Sequence, residues 1–140
     1  MSKIKHEIKI KGNAHAIYQA LTTLEGLKSW HSAQTEGDFS LHSELIMKGI
    51  NKPTFCWKII TLNPNHCVEW ECVYGPGNAP GTKVSFNLSQ ADEERVLVEC
   101  THEGWSKTDG NYTKCNTLWG MLIVHLKQFV ETGIAKPSFN

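Results

Sequence analysis

Residues 112–132 read YTKCNTLWGMLIVHLKQFVET, and apolar side chains recur in them every three or four positions. This spacing is typical of a helix that buries one face. Gly133 follows as a C-terminal stop signal, and Pro137 comes soon after it. The apolar positions are Tyr112, Cys115, Trp119, Leu122, Ile123, Leu126, Phe129 and Val130. We therefore predict one long C-terminal helix over residues 112–132.

The region before this helix, from about residue 39 to residue 102, alternates apolar and polar side chains in the manner of β-strands. The turn-forming segments between these strands are short, which favours an antiparallel meander. The predicted strands cover residues 41–48, 54–62, 67–74, 82–89 and 95–103. Another half-buried strand is predicted at residues 4–11. Two short helices follow it, the first capped by Asn13 and ending at Thr22, the second over residues 24–30 and interrupted by Gly26.

This order of elements predicts an α+β fold in which a curved antiparallel sheet wraps around the C-terminal helix. The two short helices should close one end of that sheet. An arrangement of this kind often encloses a cavity, so the question of function becomes what fills it. We expect residues 1–140 to form a single domain, since the length is ordinary for one and shows no linker or repeat.

Charge and composition exclude several classes of partner. Lysine plus arginine number 14, as do aspartate plus glutamate, so the formal net charge is zero. A neutral chain with dispersed basic residues gives no electrostatic case for nucleic acid. No apolar run is long enough to cross a membrane, and no secretory apolar core is present, so we expect a cytoplasmic protein. The five cysteines include no Cys-x-x-Cys motif, and we expect them to be reduced and mostly buried.

Several short motifs, taken together in their order, resemble the START-like superfamily, also called helix-grip or SRPBCC. They are residues 16–22 with Leu27 and Trp30, residues 57–60 with Asn63 and Pro64, residues 68–70, residues 101–105, and residues 119–122 with Leu126 and Lys127. Within the superfamily the chain looks like the branch named for similarity to the C-terminal domain of the heat-shock-protein-90 ATPase activator. The resemblance covers nearly the whole chain and is carried mostly by packing residues.

The resemblance implies a helix-grip fold with an internal cavity, because the superfamily includes polyketide cyclases, lipid-transfer START domains and birch-pollen-allergen-like proteins. It implies a chaperone partner only weakly. The chain matches one domain of the activator and none of its N-terminal half, which argues against a chaperone-activating role. A homodimer remains open.

Five tryptophans form the strongest candidate lining for a cavity, because each has a large apolar body with one N–H donor. Trp70 and Trp119 favour a filled core, whereas Trp57, Trp105 and Tyr112 lie near predicted loops and suit core or cavity equally. The full predicted lining comprises Trp30, Phe55, Trp57, Trp70, Phe86, His102, Trp105, Tyr112, Cys115 and Trp119. Residues 75–81, rich in glycine and proline, suit a hairpin loop better than a mobile flap.

Two histidines are candidate polar groups of the site. His102 points inward by strand parity, so it could bond a ligand carbonyl, act as an acid or base, or simply sit bonded at the edge of the core. His31 could lie at the cavity mouth, but a solvated loop position is favoured. Cys72, Cys100, His102 and Cys115 could converge, yet their spacing matches no zinc pattern, and we expect neither a metal nor a cofactor.

The sequence favours a non-catalytic protein that binds or carries a small hydrophobic or aromatic molecule. A cyclase or hydratase that uses His102 is the alternative, and a co-chaperone-like interaction module is a third. The absence of a second convergent polar group favours binding over catalysis.

Overall fold

A computed structural model describes residues 2–49 and 52–140, without the side chains of residues 49 and 52. In chain order the elements are β1 (Ile4–Lys11), α1 (Ala14–Thr22), α2 (Leu24–Trp30), β2 (Gln34–Gly37), β3 (Glu44–Gly49), β4 (Lys52–Asn63), β5 (Cys67–Tyr74), β6 (Lys83–Gln90), β7 (Arg95–Glu103) and α3 (Asn111–Thr132). Both short helices lie between β1 and β2. The predicted C-terminal helix is confirmed and begins one residue earlier, at Asn111.

The strands form one antiparallel sheet in the order β1-β7-β6-β5-β4-β3-β2. Helix α3 packs across this sheet, most extensively against β1. The predicted α+β helix-grip fold is therefore confirmed. The side chains that strand parity assigned to the inner face are buried on β5, β6 and β7. They form one core with the apolar faces of the three helices.

Helix α3 also closes the outer edge of β1. Lys127 Nζ donates to the carbonyl of Lys9 at 2.7 Å, and the Lys11 amide donates to Glu131 Oε2 at 2.8 Å. These bonds satisfy backbone groups that an edge strand would otherwise expose. The opposite edge of the sheet is the short strand β2.

Three details differ from the sequence-based expectation. Strand β2 was not predicted, because only Thr35 of its four residues is buried and no apolar alternation marks it. The strand predicted at residues 41–48 begins at Glu44, since His42 has a φ of 69° within a turn closed by the Ser43 amide and the Ser40 carbonyl. Gly26 does not interrupt α2.

Only glycine fits at position 26, because α1 and α2 approach each other closely there. A Cβ added there would lie 2.6 Å from the Ala20 carbonyl oxygen, too near for any side chain. Thr23 caps α2, its hydroxyl accepting the Gly26 amide at 3.0 Å. The glycine therefore lets the two helices pack in contact rather than breaking the second one.

Candidate functional site

A cavity of about 580 Å³ lies between the N-terminal half of α3 and the end of the sheet that carries β3 and β4. Most of its wall is apolar, with Leu118 and Leu122 of α3 on one side. This volume is within the range of pockets that hold small organic ligands. The cavity therefore lies where the sequence places one, between sheet and helix.

Helix periodicity explains the wall that α3 contributes. Asn111, Cys115, Leu118 and Leu122 are spaced four, three and four residues apart, so they form one stripe along the helix. Trp119 flanks this stripe and also lines the cavity. The Asn111 side chain lies at the start of the helix and donates to the Pro76 carbonyl at 2.9 Å.

The floor of the cavity comes from inward-facing residues of β3 and β4. Met47 is the cross-strand partner of Phe55, and Phe55 and Trp57 lie on the same face of β4. The rings of Phe55 and Trp57 are stacked, with centroids 5.7 Å apart and planes 7° apart. These side chains present flat apolar surface, which suits an aromatic or aliphatic ligand body.

His102 lies in the cavity wall with both ring nitrogens engaged. The Trp119 indole N–H donates to Nδ1 at 3.1 Å, so Nδ1 is the unprotonated nitrogen. The neutral ring then carries its proton on Nε2, which donates to Thr82 Oγ1 at 2.7 Å. The Thr82 hydroxyl donates in turn to the Ala79 carbonyl at 2.6 Å. The hydrogen bonds of this series all run in the same direction, with each proton donated away from α3 and towards the backbone of the 75–81 loop.

This arrangement disfavours His102 as an acid or base. Burial lowers its pKa to about 3, so the imidazole is neutral at physiological pH and a weak base. Protonating it would also break the bond from Trp119 to Nδ1. The geometry suits a neutral histidine that ties α3 to the sheet and forms part of the cavity wall.

His31 is buried, so the prediction of a solvated loop position is wrong. It directly follows α2, and its Nδ1 lies 2.7 Å from the Ser32 hydroxyl oxygen. The chain after α3 folds back over it, with the Phe139 amide donating to the His31 carbonyl and the Ala33 amide donating to the Phe139 carbonyl. His31, Ser32 and Phe139 all line the cavity. Burial lowers the pKa of His31 to about 3.

Five of the ten predicted lining residues border the cavity, namely Phe55, Trp57, His102, Cys115 and Trp119. Trp30, Trp70 and Phe86 are instead fully buried in the core beneath it. Phe86 joins them, its ring centroid 6.3 Å from that of Trp30 and 5.3 Å from that of Trp70. The indole of Trp30 donates to the Ala20 carbonyl at 2.9 Å, which fixes it under α1. Strand parity predicted which side chains point inward, but it did not predict where the filled core ends and the cavity begins.

Trp105 and Tyr112 also lie outside the lining, behind His102. The Trp105 ring lies against the His102 ring at 4.5 Å, and its N–H donates to the His102 carbonyl at 3.2 Å. Tyr112 packs edge-to-face on Trp105 at 5.9 Å. One residue of rotation on the helix turns Tyr112 away from the stripe that Asn111 begins. These two rings support the wall rather than form it.

Sequence reasoning missed several lining residues, among them Ser32, Met47, Asn111 and Phe139. Met47 had a usable signal, because it alternates with Leu45 on the inner face of β3. Asn111 lies four residues before Cys115 and so shares its helical face. Ser32 and Phe139 had no signal in the sequence. They pair although they lie more than a hundred residues apart, and neither segment carries a periodic pattern.

The 75–81 loop is held in place by hydrogen bonds. The Ala79 amide donates to the Pro76 carbonyl at 3.1 Å, and the Gly81 amide donates to the Cys72 carbonyl at 2.8 Å. Ala79 is fully buried, and Asn111 bonds the loop from α3. The arrangement matches the favoured hairpin-loop interpretation.

Charged groups are confined to the rim. Lys48 and Lys114 are the charged residues of the wall, and no carboxylate lines it among the described residues. Lys48 is half exposed and pairs with Glu36 at 3.6 Å.

All five cysteines are free thiols, and burial raises the pKa of Cys115 to about 11. Within residues 2–49 and 52–140, no group of three or more potential ligands is arranged to hold a metal ion.

Comparison with known proteins places the chain in a family. Residues 11–131 match the family described as "Activator of Hsp90 ATPase homolog 1-like protein". The chain belongs to this family. No curated protein matches the chain. In the part of the chain that the structure describes, no helix is long and apolar enough to cross a membrane.

Solved structures give the same fold. The Aha1 dimer from Colwellia psychrerythraea is 33% identical, with a TM-score of 0.86 over 95% of this chain and 98% of that one. CalU16 from Micromonospora echinospora is 18% identical, with a TM-score of 0.77 over 96% of this chain and 76% of that one. DynU16, from the dynemicin biosynthetic locus, is 12% identical, with a TM-score of 0.79 over 96% and 49% of the two chains. The latter two likenesses concern fold alone.

Proposed function

We propose that residues 1–140 act as one START-like domain that binds a small hydrophobic or aromatic molecule between the sheet and α3. The observation that carries this proposal is the cavity of about 580 Å³, whose body is lined by aromatic and aliphatic side chains. A well-packed core of this size seldom leaves so much space without a ligand to fill it. The free thiols support a reducing compartment, and we propose the cytoplasm as the location.

A thermal-shift panel tests the proposal. Fatty acids, sterols and aromatic polyketides are added to the protein while melting temperature and tryptophan fluorescence are followed. A ligand at a hundredfold excess over its Kd stabilises the folded state by about 2.7 kcal/mol, enough to raise the melting temperature by several degrees. No shift with any compound would overturn the binding proposal.

A cavity-filling variant locates the binding. Leu118 is half-buried and lines the cavity, so Leu118→Trp should occupy the space and abolish the ligand-induced shift. Val124→Trp is the matched control, because Val124 is exposed on the same helix. Retention of the shift in Leu118→Trp would place the ligand elsewhere.

Family membership favours a second candidate, a co-chaperone-like interaction module, and the 33% identical Colwellia Aha1 structure is a dimer. We propose a homodimer on that likeness, to be tested by analytical ultracentrifugation over a range of concentrations. Stimulation of Hsp90 ATPase turnover by the purified protein would support the co-chaperone role. A monomer at every concentration would exclude the dimer, and unchanged turnover would exclude the co-chaperone role.

Catalysis by His102 is the weaker alternative, because both of its nitrogens are engaged in fixed bonds. Turnover of a bound compound that disappears in His102→Ala, with binding retained, would restore it.

A further inference from the structure

One end of the cavity holds a polar pair in an otherwise aromatic setting. His31 and Ser32 are 7% and 3% exposed, and both line the cavity. The centroid of the His31 ring lies 5.8 Å from that of the Trp119 ring and 6.1 Å from that of the Phe139 ring. A buried polar pair is costly unless its hydrogen-bonding capacity is used, so its presence needs a reason.

The bonding of this pair is incomplete. His31 Nδ1 and Ser32 Oγ bond to each other at 2.7 Å, but His31 Nε2 makes no hydrogen bond to any described residue. His102 differs, because its two nitrogens are both engaged within the protein. The unpartnered indole nitrogens of Trp57 and Trp70 also differ from His31 Nε2, since they are sealed from solvent. His31 Nε2 is therefore a hydrogen-bonding position, in a residue of the cavity wall, that no described residue uses.

The two tautomers of His31 offer complementary chemistry. If the Ser32 hydroxyl donates to Nδ1, then Nε2 carries a proton and can donate to a ligand carbonyl or hydroxyl oxygen. If Nδ1 carries the proton and donates to Ser32 Oγ, then Nε2 can accept from a ligand hydroxyl. A hydroxyl or a carbonyl thus satisfies the pair in one state or the other.

An ionised ligand group fits this end poorly. The lysines of the wall lie at the rim, where Lys48 is already paired with Glu36. Since burial keeps His31 neutral, a carboxylate beside it would be desolvated without a counter-charge. An ammonium would meet no carboxylate, because none lines the cavity among the described residues.

We propose that the His31–Ser32 pair is the polar subsite of the cavity, and that the ligand is an uncharged apolar molecule with one hydroxyl or carbonyl group bonded there. This inference rests on the proposed binding function and narrows its ligand class. It also assigns an orientation, with the polar group against the end of α2 and the apolar body against Trp57, Trp119 and Leu118.

Matched probes test the inference by changing only the polar group. Two skeletons, one naphthyl and one dodecyl, are each prepared in five forms: the hydrocarbon, the primary alcohol, the methyl ketone, the carboxylate and the amine. One net hydrogen bond should make the alcohol or ketone bind ~threefold to tenfold more tightly than the hydrocarbon, measured by competition or calorimetry. The carboxylate and the amine should bind more weakly than the alcohol.

Two variants connect the preference to the pair. His31→Phe keeps an aromatic ring of similar size, and Ser32→Ala removes only a hydroxyl, so the second covers the case in which the first fails to fold. In His31→Phe the ratio of alcohol to hydrocarbon affinity should fall towards one, while hydrocarbon binding persists. In Ser32→Ala, which leaves Nε2 in place but removes the partner of Nδ1, the ratio should fall in the same direction by a smaller amount. Thr117→Val is the control, because it removes another hydroxyl of the wall and should leave the ratio unchanged. In protein with nitrogen-labelled histidine, the His31 Nε2 resonance should shift with alcohol or ketone and not with hydrocarbon.

The outcomes separate the two proposals. If no probe on either skeleton binds, the binding function and the subsite both fail. If hydrocarbon, alcohol and ketone bind equally, the cavity function stands and the subsite is overturned. A carboxylate that binds most tightly, with loss of binding in Lys114→Ala, would overturn the subsite in favour of an anionic ligand at the rim. A ratio that survives both variants would assign the preference to another group.

Discussion

Two buried histidines should make the protein sensitive to mild acid. Burial lowers the pKa of both His31 and His102 to about 3, whereas an unfolded histidine has a pKa near ~6.5. The folded state therefore resists protonation that the unfolded state accepts. The stability that these neutral rings contribute is complete above the unfolded pKa of ~6.5 and is progressively lost as the pH falls from there towards 3.

The check is the melting temperature or urea midpoint between pH 8 and 5.5, a range above the titration of ordinary carboxyl groups. We expect a steep fall below pH 6.5, reduced in His31→Phe because one titrating group is gone. A melting temperature that stays level over this range would contradict the buried, neutral state of both rings.

Tyr112 and Trp119 lie seven residues apart on α3 and should respond very differently to substitution. Trp119 is 3% exposed and bonds His102, so Trp119→Ala should cost ~3–5 kcal/mol and badly weaken or unfold the protein. Tyr112→Phe keeps the ring that packs on Trp105 and should change stability by less than about 1 kcal/mol. Since Tyr112 lies outside the cavity lining, ligand affinity should also be unchanged. Chemical denaturation measures both, and an unaltered Trp119→Ala midpoint would contradict the grip on α3.

Two helical glycines provide an opposed pair at the scale of elements. A Cβ at Gly26 would meet the Ala20 carbonyl oxygen at 2.6 Å, so Gly26→Ala should push α1 and α2 apart and cost ~1–3 kcal/mol. A Cβ at Gly120 would meet the His6 ring at an ordinary 3.5 Å. Gly120→Ala should therefore stabilise α3 by up to ~1 kcal/mol through helix propensity. Equal effects of the two substitutions on the unfolding midpoint would refute the close packing of α1 on α2.

The elements show what the sequence could predict and why. Parity on β4 to β7 and the helical spacing of α3 gave the correct buried faces, because one-sided burial leaves a regular pattern. Strand β2 was not predicted, because only its pairing with β3 defines it and only Thr35 is buried. Gly26 was misinterpreted for a related reason, as its role depends on the backbone of another helix.

The packing of the whole molecule explains why five of the ten residues predicted to line a cavity border it and the others lie elsewhere. Sequence parity tells which side of a strand is inside, but the boundary between filled core and open cavity depends on how large rings pack in three dimensions. Trp70 and Phe86 fill that space, whereas Trp57 borders it. His31 is buried because residues 136–139 return to the end of α2, with the Lys136 amide donating to the Ser29 carbonyl and the Ser138 amide to the Trp30 carbonyl. No local pattern announces such a contact.

The most direct test of the central claim is the position of a bound ligand. The protein is saturated with the tightest compound of the panel, and intermolecular nuclear Overhauser effects are recorded from ligand protons to all aromatic and aliphatic side chains. We predict contacts with Trp57, Trp119 and Leu118, which surround the cavity. Contacts confined to exposed apolar residues such as Tyr74, Met121 and Val124 would contradict it, because those side chains lie on the outer surface.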